Sequence, residues 1–326
     1  MHAVRQYEFG PAENLLFTEV PDPRPAAGQV RIAVRASGVH LADTALRAGV
    51  VSGPFQRPEL PMTPGREVAG VVDELGDGVD PAWLGRRVVA HLGMAGGGYA
   101  ELAVADVTAL HALPEHLDHG VAVAMIGTGR MTMGILDVAR PAADDVVLVT
   151  AAAGGIGTLL VQAARNVGAT VVGVAGGAAK AERVRAVGAT VAVDYTAPDW
   201  TGAVREALDG REVTVALDGV GGEPGRATFD LLGAGGRLVL FGWSAGEPTR
   251  FTSADLFERG LSASVALGPR ILRIPGGLRG LEERSLAEAA AGRLVPAVQT
   301  FPLKDAAAAH TTLETRATVG KVVLVP

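Results

Sequence analysis

Two patterns of apolar residues divide the chain. From the start to about residue 112, short β-type runs alternate with Gly and Pro clusters, which is typical of strands joined by turns. Strands are predicted at Gln29–Arg35, Glu67–Asp73, Arg86–His91 and Tyr99–Ala105. Their spacing predicts a compact, barrel-like β-rich domain.

After Pro114, short apolar runs alternate with helical stretches. The predicted strand and helix pairs are 146–150 with 157–167, 170–175 with 178–187, and 191–195 with 199–208, and the series continues with strands at 213–218 and 237–241. This alternation predicts βαβ crossovers and a parallel sheet. The tail predicts a further strand at 261–267, a helix at 278–291 and a last strand at 321–325.

Composition and charge narrow the function. The chain has 29 Lys and Arg against 35 Asp and Glu, a net charge of −6, so nucleic acid and anionic membranes are poor partners. It has no cysteine, which excludes disulfides, iron–sulfur clusters, thiolate zinc and a cysteine nucleophile. The first ten residues do not resemble a signal peptide, and no unbroken apolar run approaches about 18 residues. We therefore expect a cytoplasmic protein.

The segment 145–167 contains the strongest motif. A buried strand leads directly into Gly154, Gly155 and Gly157 and then into an amphipathic helix, where backbone N–H groups and the helix dipole can hold a pyrophosphate. The motif departs from G-x-G-x-x-G, because Ala152 occupies the first glycine position. A glycine-rich turn alone could equally serve tight packing. The βα units around this one favour dinucleotide binding.

The end of the second strand of this region indicates which dinucleotide is bound. NAD sites usually place an acidic residue there, which accepts a hydrogen bond from the ribose 2′-hydroxyl. Here the sequence VAGGAAK contains no acid before Glu182, and Lys180 and Arg183 lie one helical turn apart. This pattern favours a 2′-phosphate and hence NADPH. The alternative is that both cations are solvated helix charges.

Several stretches, in their order along the chain, resemble one family. They are EVPDPRPAAGQVRIAVRASGVHLADTALRAG, PGREVAGVVDELGDGV, GGYAELAV, AAAGGIGTLLVQAARNVGA, AVGATVAVDY, GRLVLFG and GKVVLVP. Together they resemble the zinc-independent quinone oxidoreductase branch of the medium-chain dehydrogenase/reductase superfamily, over essentially the whole chain. The resemblance implies an α/β fold, in which a GroES-like β-rich catalytic domain is interrupted by a Rossmann domain with a doubly wound parallel sheet.

The resemblance also implies a domain order and an activity. We predict the first segment of the GroES-like catalytic domain at 1–120 and the Rossmann NADP(H)-binding domain at 121–260. A return segment at 261–326 would supply a Rossmann edge strand and then rejoin the catalytic domain. The implied activity is NADPH-dependent hydride transfer to a quinone or an α,β-unsaturated carbonyl compound, by a metal-free homodimeric enzyme whose site lies between the domains.

The resemblance assigns coenzyme-binding roles residue by residue. The pyrophosphate is expected at Gly154, Gly155, Ile156 and Gly157, the 2′-phosphate at Lys180 and Tyr195, and the nicotinamide half at Thr128, Phe241 and Gly242, while Arg316 would approach the phosphates from the other domain. The family often has Ser where Gly176 stands here. The missing hydroxyl removes a phosphate donor worth roughly 1 kcal/mol, which should weaken the NADPH preference without reversing it.

The candidate catalytic residues are His40 and Asp43. The positions of the zinc ligands in related enzymes correspond here to His40, Arg66 and Ala124, of which only His40 could bind a metal, so no metal is predicted. His40 could deliver a proton near neutral pH, or it could simply bond a local backbone carbonyl. Asp43 matches a position near the coenzyme, or it caps a helix. Glu67 is expected to pair with Arg66 or another neighbour.

Other interpretations stay open at this point. In the expected substrate segment, 46–59, Phe55 is the main aromatic candidate, and Tyr99 is interpreted as structural. A second enzyme class is an enoyl-thioester reductase or a biosynthetic tailoring reductase. A third class is a non-catalytic NADPH-binding protein, such as the crystallin-like or RNA-binding relatives of this family.

Overall fold

The computed structural model describes residues 1–50 and 57–326. The chain forms two compact units. The β-rich unit comprises Met1–Thr128, Ser285–Ala291 and Pro296–Pro326, and the parallel-sheet unit comprises Gly129–Arg284 and Gly292–Val295. These units are defined by contacts within the structure, and the domain limits predicted from the sequence remain a prediction.

Most of the strands lie where apolar runs and turns predicted them. They are β1 (His2–Gln6), β2 (Leu15–Glu19), β3 (Gln29–Val39), β4 (Glu67–Leu75), β5 (Arg87–His91), β6 (Leu102–Asp106), β7 (Leu110–Ala112), β8 (Val146–Val149), β9 (Thr170–Ala175), β10 (Val191–Asp194), β11 (Val213–Asp218), β12 (Leu232–Leu240), β13 (Ser262–Val265), β14 (Val298–Pro302) and β15 (Lys321–Val325).

The helices lie mainly in the parallel-sheet unit. They are α1 (Leu41–Arg47), α2 (His119–Ala124), α3 (Arg130–Ala139), α4 (Gly155–Asn166), α5 (Ala178–Val187), α6 (Trp200–Leu208), α7 (Gly222–Asp230), α8 (Ser253–Arg259), α9 (Gly277–Ala290) and α10 (Ala306–Glu314). A π-helical turn, Met125–Gly129, separates α2 from α3.

The parallel sheet has the order β10-β9-β8-β11-β12-β13, and every neighbouring pair in it is parallel. Numbered along the chain, this order is 3-2-1-4-5-6, the doubly wound order of a Rossmann domain. The predicted fold class is therefore confirmed. Ligands of such sheets bind at the carboxyl ends of the strands, where the strand order reverses between β8 and β11.

Both faces of this sheet are buried, which explains the unbroken apolar strand sequences. In β8, Val147 and Val149 pack in the cluster that contains Leu160 of α4, whereas Val146 and Leu148 pack in the opposite cluster with Phe229 of α7. Successive side chains of a strand point to opposite faces. A strand covered by helices on both sides therefore reads as VVLV rather than as an alternating pattern.

The β-rich unit has a sheet of order β14-β15-β3-β4-β5-β7, with β6 also paired to β3. The last strand of the chain, β15, lies antiparallel to β3, with Val322 opposite Val39 and Val323 opposite Gly38. This pairing brings the start of β15 next to the end of β3. Sequence analysis did not identify β1, β2, β7 or β14, whose short or mixed sequences carry weak periodicity.

Within residues 1–50 and 57–326, one helical run, His119–Ala139, is long and apolar enough to cross a membrane by length and composition. Its mean hydropathy reaches 1.3, but 72% of that window is buried inside the protein. Burial of this extent is typical of the core helix of a soluble protein.

Candidate active site

The glycine-rich turn connects β8 to α4 in the parallel-sheet unit. Ala151 takes a left-handed conformation with φ of 47°. A side chain at Gly157 would place its Cβ 2.3 Å from the Ala151 carbonyl oxygen and 2.7 Å from the Ala152 Cα, so only glycine fits there. Ala152 is fully buried. The tight turn is thus made one residue earlier than in G-x-G-x-x-G, which explains why Ala is tolerated at position 152.

This turn presents backbone donors at a helix N-terminus. The N–H groups of the first turn of α4, at Gly155, Ile156 and Gly157, have no acceptor within the helix. Gly157 lets α4 pack closely against the backbone of Ala151 and Ala152, and the N-terminus of this 12-residue helix is the positive end of its dipole. The residues present therefore fit a pyrophosphate.

The end of β9 brings two of the predicted 2′-phosphate residues together. A Cβ at Gly176 would lie 3.3 Å from the Tyr195 hydroxyl, so the two residues are in contact. Gly177 follows with φ of 94° and precedes α5, whose first turn includes the partly exposed Lys180. The family resemblance predicts that these residues lie together at the 2′-phosphate, and Gly176 and Tyr195 are neighbours in the structure.

An acidic residue also lies near this point, at the end of β10. Asp194 Oδ1 accepts hydrogen bonds from Gly177 N at 2.8 Å, from Thr196 N at 2.9 Å and from the Thr196 hydroxyl at 2.6 Å. The Thr196 hydroxyl and these backbone donors lower the pKa of the Asp194 carboxyl. The Asp194 carboxylate therefore accepts hydrogen bonds from nearby groups of the chain, and these bonds stabilise the turn that precedes α5.

A buried aspartate at the end of β11 organises the next turn. Asp218 is fully buried and accepts hydrogen bonds from the Thr150 hydroxyl at 2.9 Å, from the Thr249 hydroxyl at 2.5 Å and from Val220 N at 2.9 Å. Sequence analysis missed this residue. The signal was an acid that directly follows the apolar strand sequence VTVAL at the edge where ligands bind.

Phe241 and Gly242, expected near the nicotinamide, lie against this turn. Phe241 N donates to Asp218 O at 2.8 Å. A Cβ at Gly219 would fall 2.3 Å from the Phe241 ring, and a Cβ at Gly242 would fall 3.0 Å from Gly219 O. The turns after β11 and β12 are therefore packed backbone to backbone at the carboxyl edge of the sheet.

In the β-rich unit, His40 contacts a buried ion pair. His40 Nε2 lies 2.6 Å from Glu67 Oε1, and Lys321 Nζ lies 2.8 Å from Glu67 Oε2. Lys321 Nζ is also 3.0 Å from His40 Nε2. Glu67 is completely buried and the Lys321 side chain is 4% exposed, whereas the His40 side chain is 24% exposed. We call these three residues the His40 cluster.

The charges of the His40 cluster keep Glu67 ionised. Burial alone would raise the pKa of the Glu67 carboxyl, but the charges of His40 and Lys321 outweigh burial and hold that pKa well below its usual range. Glu67 thus pairs with His40 and Lys321, while Arg66, one of the expected partners, forms an ion pair with Asp43. Lys321 was missed, although it is one of three lysines in the chain and opens an otherwise apolar strand.

Asp43 lies in the first turn of α1 and is the centre of a second buried network. Its Oδ2 accepts from the His40 backbone N at 2.8 Å and from the Tyr99 hydroxyl at 3.2 Å, and its Oδ1 accepts from Arg66 Nη2 at 3.2 Å. The Tyr99 hydroxyl also lies 3.2 Å from His310 Nε2. Asp43 thus helps to cap α1, which His40 precedes as the N-cap residue.

Burial shapes the protonation of this second network. It raises the pKa of the Tyr99 hydroxyl well above its ordinary value, and the Asp43 charge acts in the same direction. Burial also lowers the pKa of His310 to about 4. Tyr99 and His310 are therefore neutral near pH 7, and the network serves to fix the segment that carries His40.

Two further predicted residues, Thr128 and Arg316, lie in the β-rich unit. Thr128 is buried in the π-helical turn. Arg316 is exposed just after α10, with φ of 59°. Phe55 lies outside the described residues. In the part of the chain that the structure describes, no group of three or more His, Asp or Glu side chains could hold a metal ion.

Known proteins match the chain over nearly its full length. Residues 26–115 match the family described as alcohol dehydrogenase GroES-like domain, and residues 155–281 match the family described as zinc-binding dehydrogenase. A 2-haloacrylate reductase of Burkholderia sp. is 34% identical over 337 residues, which cover 100% of this chain and 99% of the relative. A quinone oxidoreductase of Salmonella typhimurium is 32% identical and covers 98% of both chains.

Solved structures agree with these relatives. The Escherichia coli quinone oxidoreductase, crystallised as a complex with NADPH, superposes with a TM-score of 0.86 at 28% identity and covers all of both chains. The crystal structure of a 2-haloacrylate reductase superposes with a TM-score of 0.79 at 30% identity, over 100% of this chain and 99% of the other.

Proposed function

Because the chain belongs to the quinone oxidoreductase branch of the medium-chain dehydrogenase/reductase superfamily, we propose that it is an NADPH-dependent reductase of quinones or α,β-unsaturated carbonyl compounds. NADPH supplies a hydride when it is bound. The residues of this chain bind and orient the coenzyme, exclude water and provide the proton.

The contact between Gly176 and Tyr195 is the observation that carries the coenzyme assignment. The Tyr195 hydroxyl lies over the turn after β9, and Lys180 follows in the first turn of α5. The nearby Asp194 carboxylate accepts hydrogen bonds from local backbone and from Thr196. This arrangement offers a hydroxyl and an ammonium group to a 2′-phosphate, and it supports NADPH over NADH.

The pyrophosphate is assigned to the turn between β8 and α4. The backbone N–H groups of Gly155, Ile156 and Gly157 would hold it, because they lie in the first turn of α4 and have no acceptor within the helix. Phe241 and Gly242 would line the nicotinamide half, beside the turn that Asp218 holds. Thr128 and Arg316 are proposed as further contacts on the strength of the family resemblance.

His40 favours an unsaturated carbonyl compound as the acceptor. Reduction of a carbon–carbon double bond needs a proton delivered to carbon, whereas the oxygens of a reduced quinone exchange protons readily with water. The His40 cluster holds an ionisable, partly exposed imidazole against a buried carboxylate, which suits a proton donor. The 34% identity to a 2-haloacrylate reductase supports the same preference.

The reaction is proposed to need no metal. Of the residues at the positions of the zinc ligands in related enzymes, Arg66 bonds Asp43 and Ala124 has no donor atom, while His40 Nε2 lies 3.0 Å from the Lys321 ammonium group, whose charge repels a metal cation. We further expect a homodimer in the cytoplasm. The edge position of β13 and the exposed Val265 on it are compatible with self-association, and size-exclusion chromatography tests this.

A coenzyme oxidation assay tests the proposal. The purified protein is given NADPH or NADH together with simple quinones, enones, 2-substituted acrylates or enoyl thioesters, and the loss of reduced coenzyme is followed. We expect acceptor-dependent oxidation with a lower KM for NADPH than for NADH. NADPH binding without turnover of any acceptor would favour the non-catalytic alternative, and turnover restricted to enoyl thioesters would favour the second enzyme class.

A further inference from the structure

The His40 cluster contains one acid between two basic groups. Glu67 Oε1 contacts His40 Nε2 at 2.6 Å, and Glu67 Oε2 contacts Lys321 Nζ at 2.8 Å. Because Lys321 Nζ also lies 3.0 Å from His40 Nε2, the three groups form a closed triangle rather than a chain. Each group therefore acts on the charge of both others directly.

The surrounding backbone is built around this triangle. A Cβ at Gly38 would fall 2.2 Å from Glu67 Oε2 and 3.1 Å from Lys321 Cε. A Cβ at Gly127 would fall 1.5 Å from Glu67 Oε1 and 3.2 Å from His40 Cε1. Two glycines thus leave the space in which the carboxylate meets both basic groups, and the pairing of β15 with β3 brings Lys321 to it.

The charge of the triangle depends on the proton of His40. With His40 neutral, the Glu67 carboxylate and the Lys321 ammonium group cancel each other. With His40 protonated, the triangle carries one net positive charge in a buried site, where charge interactions are stronger than in water. Glu67 favours the imidazolium, and Lys321 opposes it.

The other charged groups near His40 do not change the opposing effects of Glu67 and Lys321 on its proton. The Asp43 carboxylate accepts from the backbone N–H of His40 and is paired with Arg66 on its other oxygen. The Tyr99 hydroxyl, which also donates to Asp43, is neutral at ordinary pH. His91 acts on the charge of Glu67 from β5. Among the described residues, Glu67 and Lys321 are the charged side chains that the structure places within 3.0 Å of the imidazole.

We propose that Glu67 and Lys321 are positioning residues that act in opposite senses on the proton of His40, Glu67 holding it and Lys321 loosening it. This inference rests on the proposed function, in which His40 protonates the substrate. A proton donor near pH 7 must bind its proton firmly enough to carry it and weakly enough to release it. The opposed partners meet both needs.

The proton transfer balances in atoms and electrons. Hydride addition to the β-carbon of the acceptor leaves an electron pair spread over the α-carbon and the carbonyl oxygen. A ring N–H bond of the His40 imidazolium breaks, its electron pair stays on nitrogen, and a C–H bond forms at the α-carbon with the substrate's pair. Water then returns a proton to the imidazole ring.

The pH dependence of kcat in three variants tests the inference. In E67Q the ammonium group faces His40 without a counter-charge, so we expect the alkaline limb of kcat to move down by about one pH unit or more and kcat at pH 7.5 to fall about tenfold. In K321M the limb should move up by about one unit. In E67Q/K321M it should return close to the wild-type position.

A second readout does not depend on turnover. The pH midpoint of the His40 imidazole is followed by NMR in the free protein and assigned by the signal that disappears in H40N. It should move down in E67Q, up in K321M, and back in the double variant. K304M, which alters an exposed lysine of the same unit, should leave both readouts unchanged. K321R keeps the positive charge and should retain the wild-type pH profile of kcat. If E67Q does not fold, the comparison of K321R with K321M tests the inference.

The outcomes separate the inference from the proposed function. Three results would overturn the inference while activity persists: midpoint shifts of E67Q and K321M in the same direction, unchanged midpoints, or a double variant whose midpoint does not return towards the wild-type value. Wild-type protein without reductase activity would overturn the proposed function, and opposite NMR shifts would then still establish the charge balance on His40.

Discussion

The Glu67 carboxylate fills the space that a side chain at Gly127 would need. A Cβ at Gly127 would lie 1.5 Å from Glu67 Oε1, which is far inside van der Waals contact. Gly127 belongs to the π-helical turn, a local distortion that is frequent at functional sites. The turn and the buried acid therefore depend on each other.

Replacing Gly127 with Ala should displace Glu67 from His40. We expect a loss of about 1–3 kcal/mol in the free energy of unfolding, because overpacking forces neighbours out of position, and a lower kcat. Urea unfolding and steady-state kinetics measure the two effects. G280A is the matched control, since a Cβ at this helical position would come no closer than 3.6 Å to a neighbour. Equal effects of the two variants would contradict the prediction.

His310 should make the stability of the protein depend on pH. Its folded pKa of about 4 lies below the ordinary value of 6.5, so the unfolded chain binds its proton first as the pH falls. The contribution is complete above pH 6.5 and is lost as the pH falls towards 4. It amounts to about 3 kcal/mol over that range.

H310F removes this dependence and keeps an aromatic ring beside Tyr99. Urea unfolding of both proteins at several pH values between about 7.5 and 4.5 measures the difference. The stability of the wild type should fall more steeply than that of the variant as the pH is lowered. Parallel curves would show that His310 does not titrate as its burial requires.

The sequence predicts the strands and helices of the parallel-sheet unit better than those of the β-rich unit. The run VVLV followed by a glycine-rich turn predicted both β8 and α4, because a strand buried on both faces has one characteristic sequence. By contrast, β14 has the half-exposed sequence VQTFP, and its position is fixed by pairing with β15, which no local pattern encodes. The His40 cluster escaped prediction for the same reason, since Lys321 meets Glu67 only through the pairing of β15 with β3.

Lys180 should determine the coenzyme preference. Removing its ammonium group in K180A should raise the KM for NADPH about tenfold and change the KM for NADH little, because NADH has no 2′-phosphate. K304A removes an exposed lysine elsewhere and should change neither constant. If K180A alters both coenzymes equally, the 2′-phosphate is not bound by this residue.

Thr249 should stabilise the turn that Asp218 organises. Its hydroxyl donates to Asp218 Oδ2 at 2.5 Å, and T249V leaves that buried oxygen without this donor. A hydrogen bond to a buried charge contributes about 1.5–3 kcal/mol, so unfolding should become easier by about this amount. The KM for NADPH should rise as well, because the turn packs against Phe241.

T312V provides the comparison for T249V. The Thr312 hydroxyl donates to Ala308 O within its own helix, and its loss should cost about 0.5 kcal/mol or less. Thermal or urea unfolding compares the two variants. If both lose the same stability, Asp218 does not depend on Thr249.

Transfer of deuterium from NADPH that carries deuterium at both C4 positions tests the central claim most directly. The protein is treated with a chelator, its zinc content is measured, and the labelled coenzyme is mixed with an α,β-unsaturated carbonyl compound in ordinary water. We predict one deuterium at the β-carbon of the product for each NADPH consumed, with hydrogen from water at the α-carbon, and the same rate before and after chelation. A product without deuterium, or activity that is lost with stoichiometric zinc, would contradict a metal-free NADPH-dependent reductase.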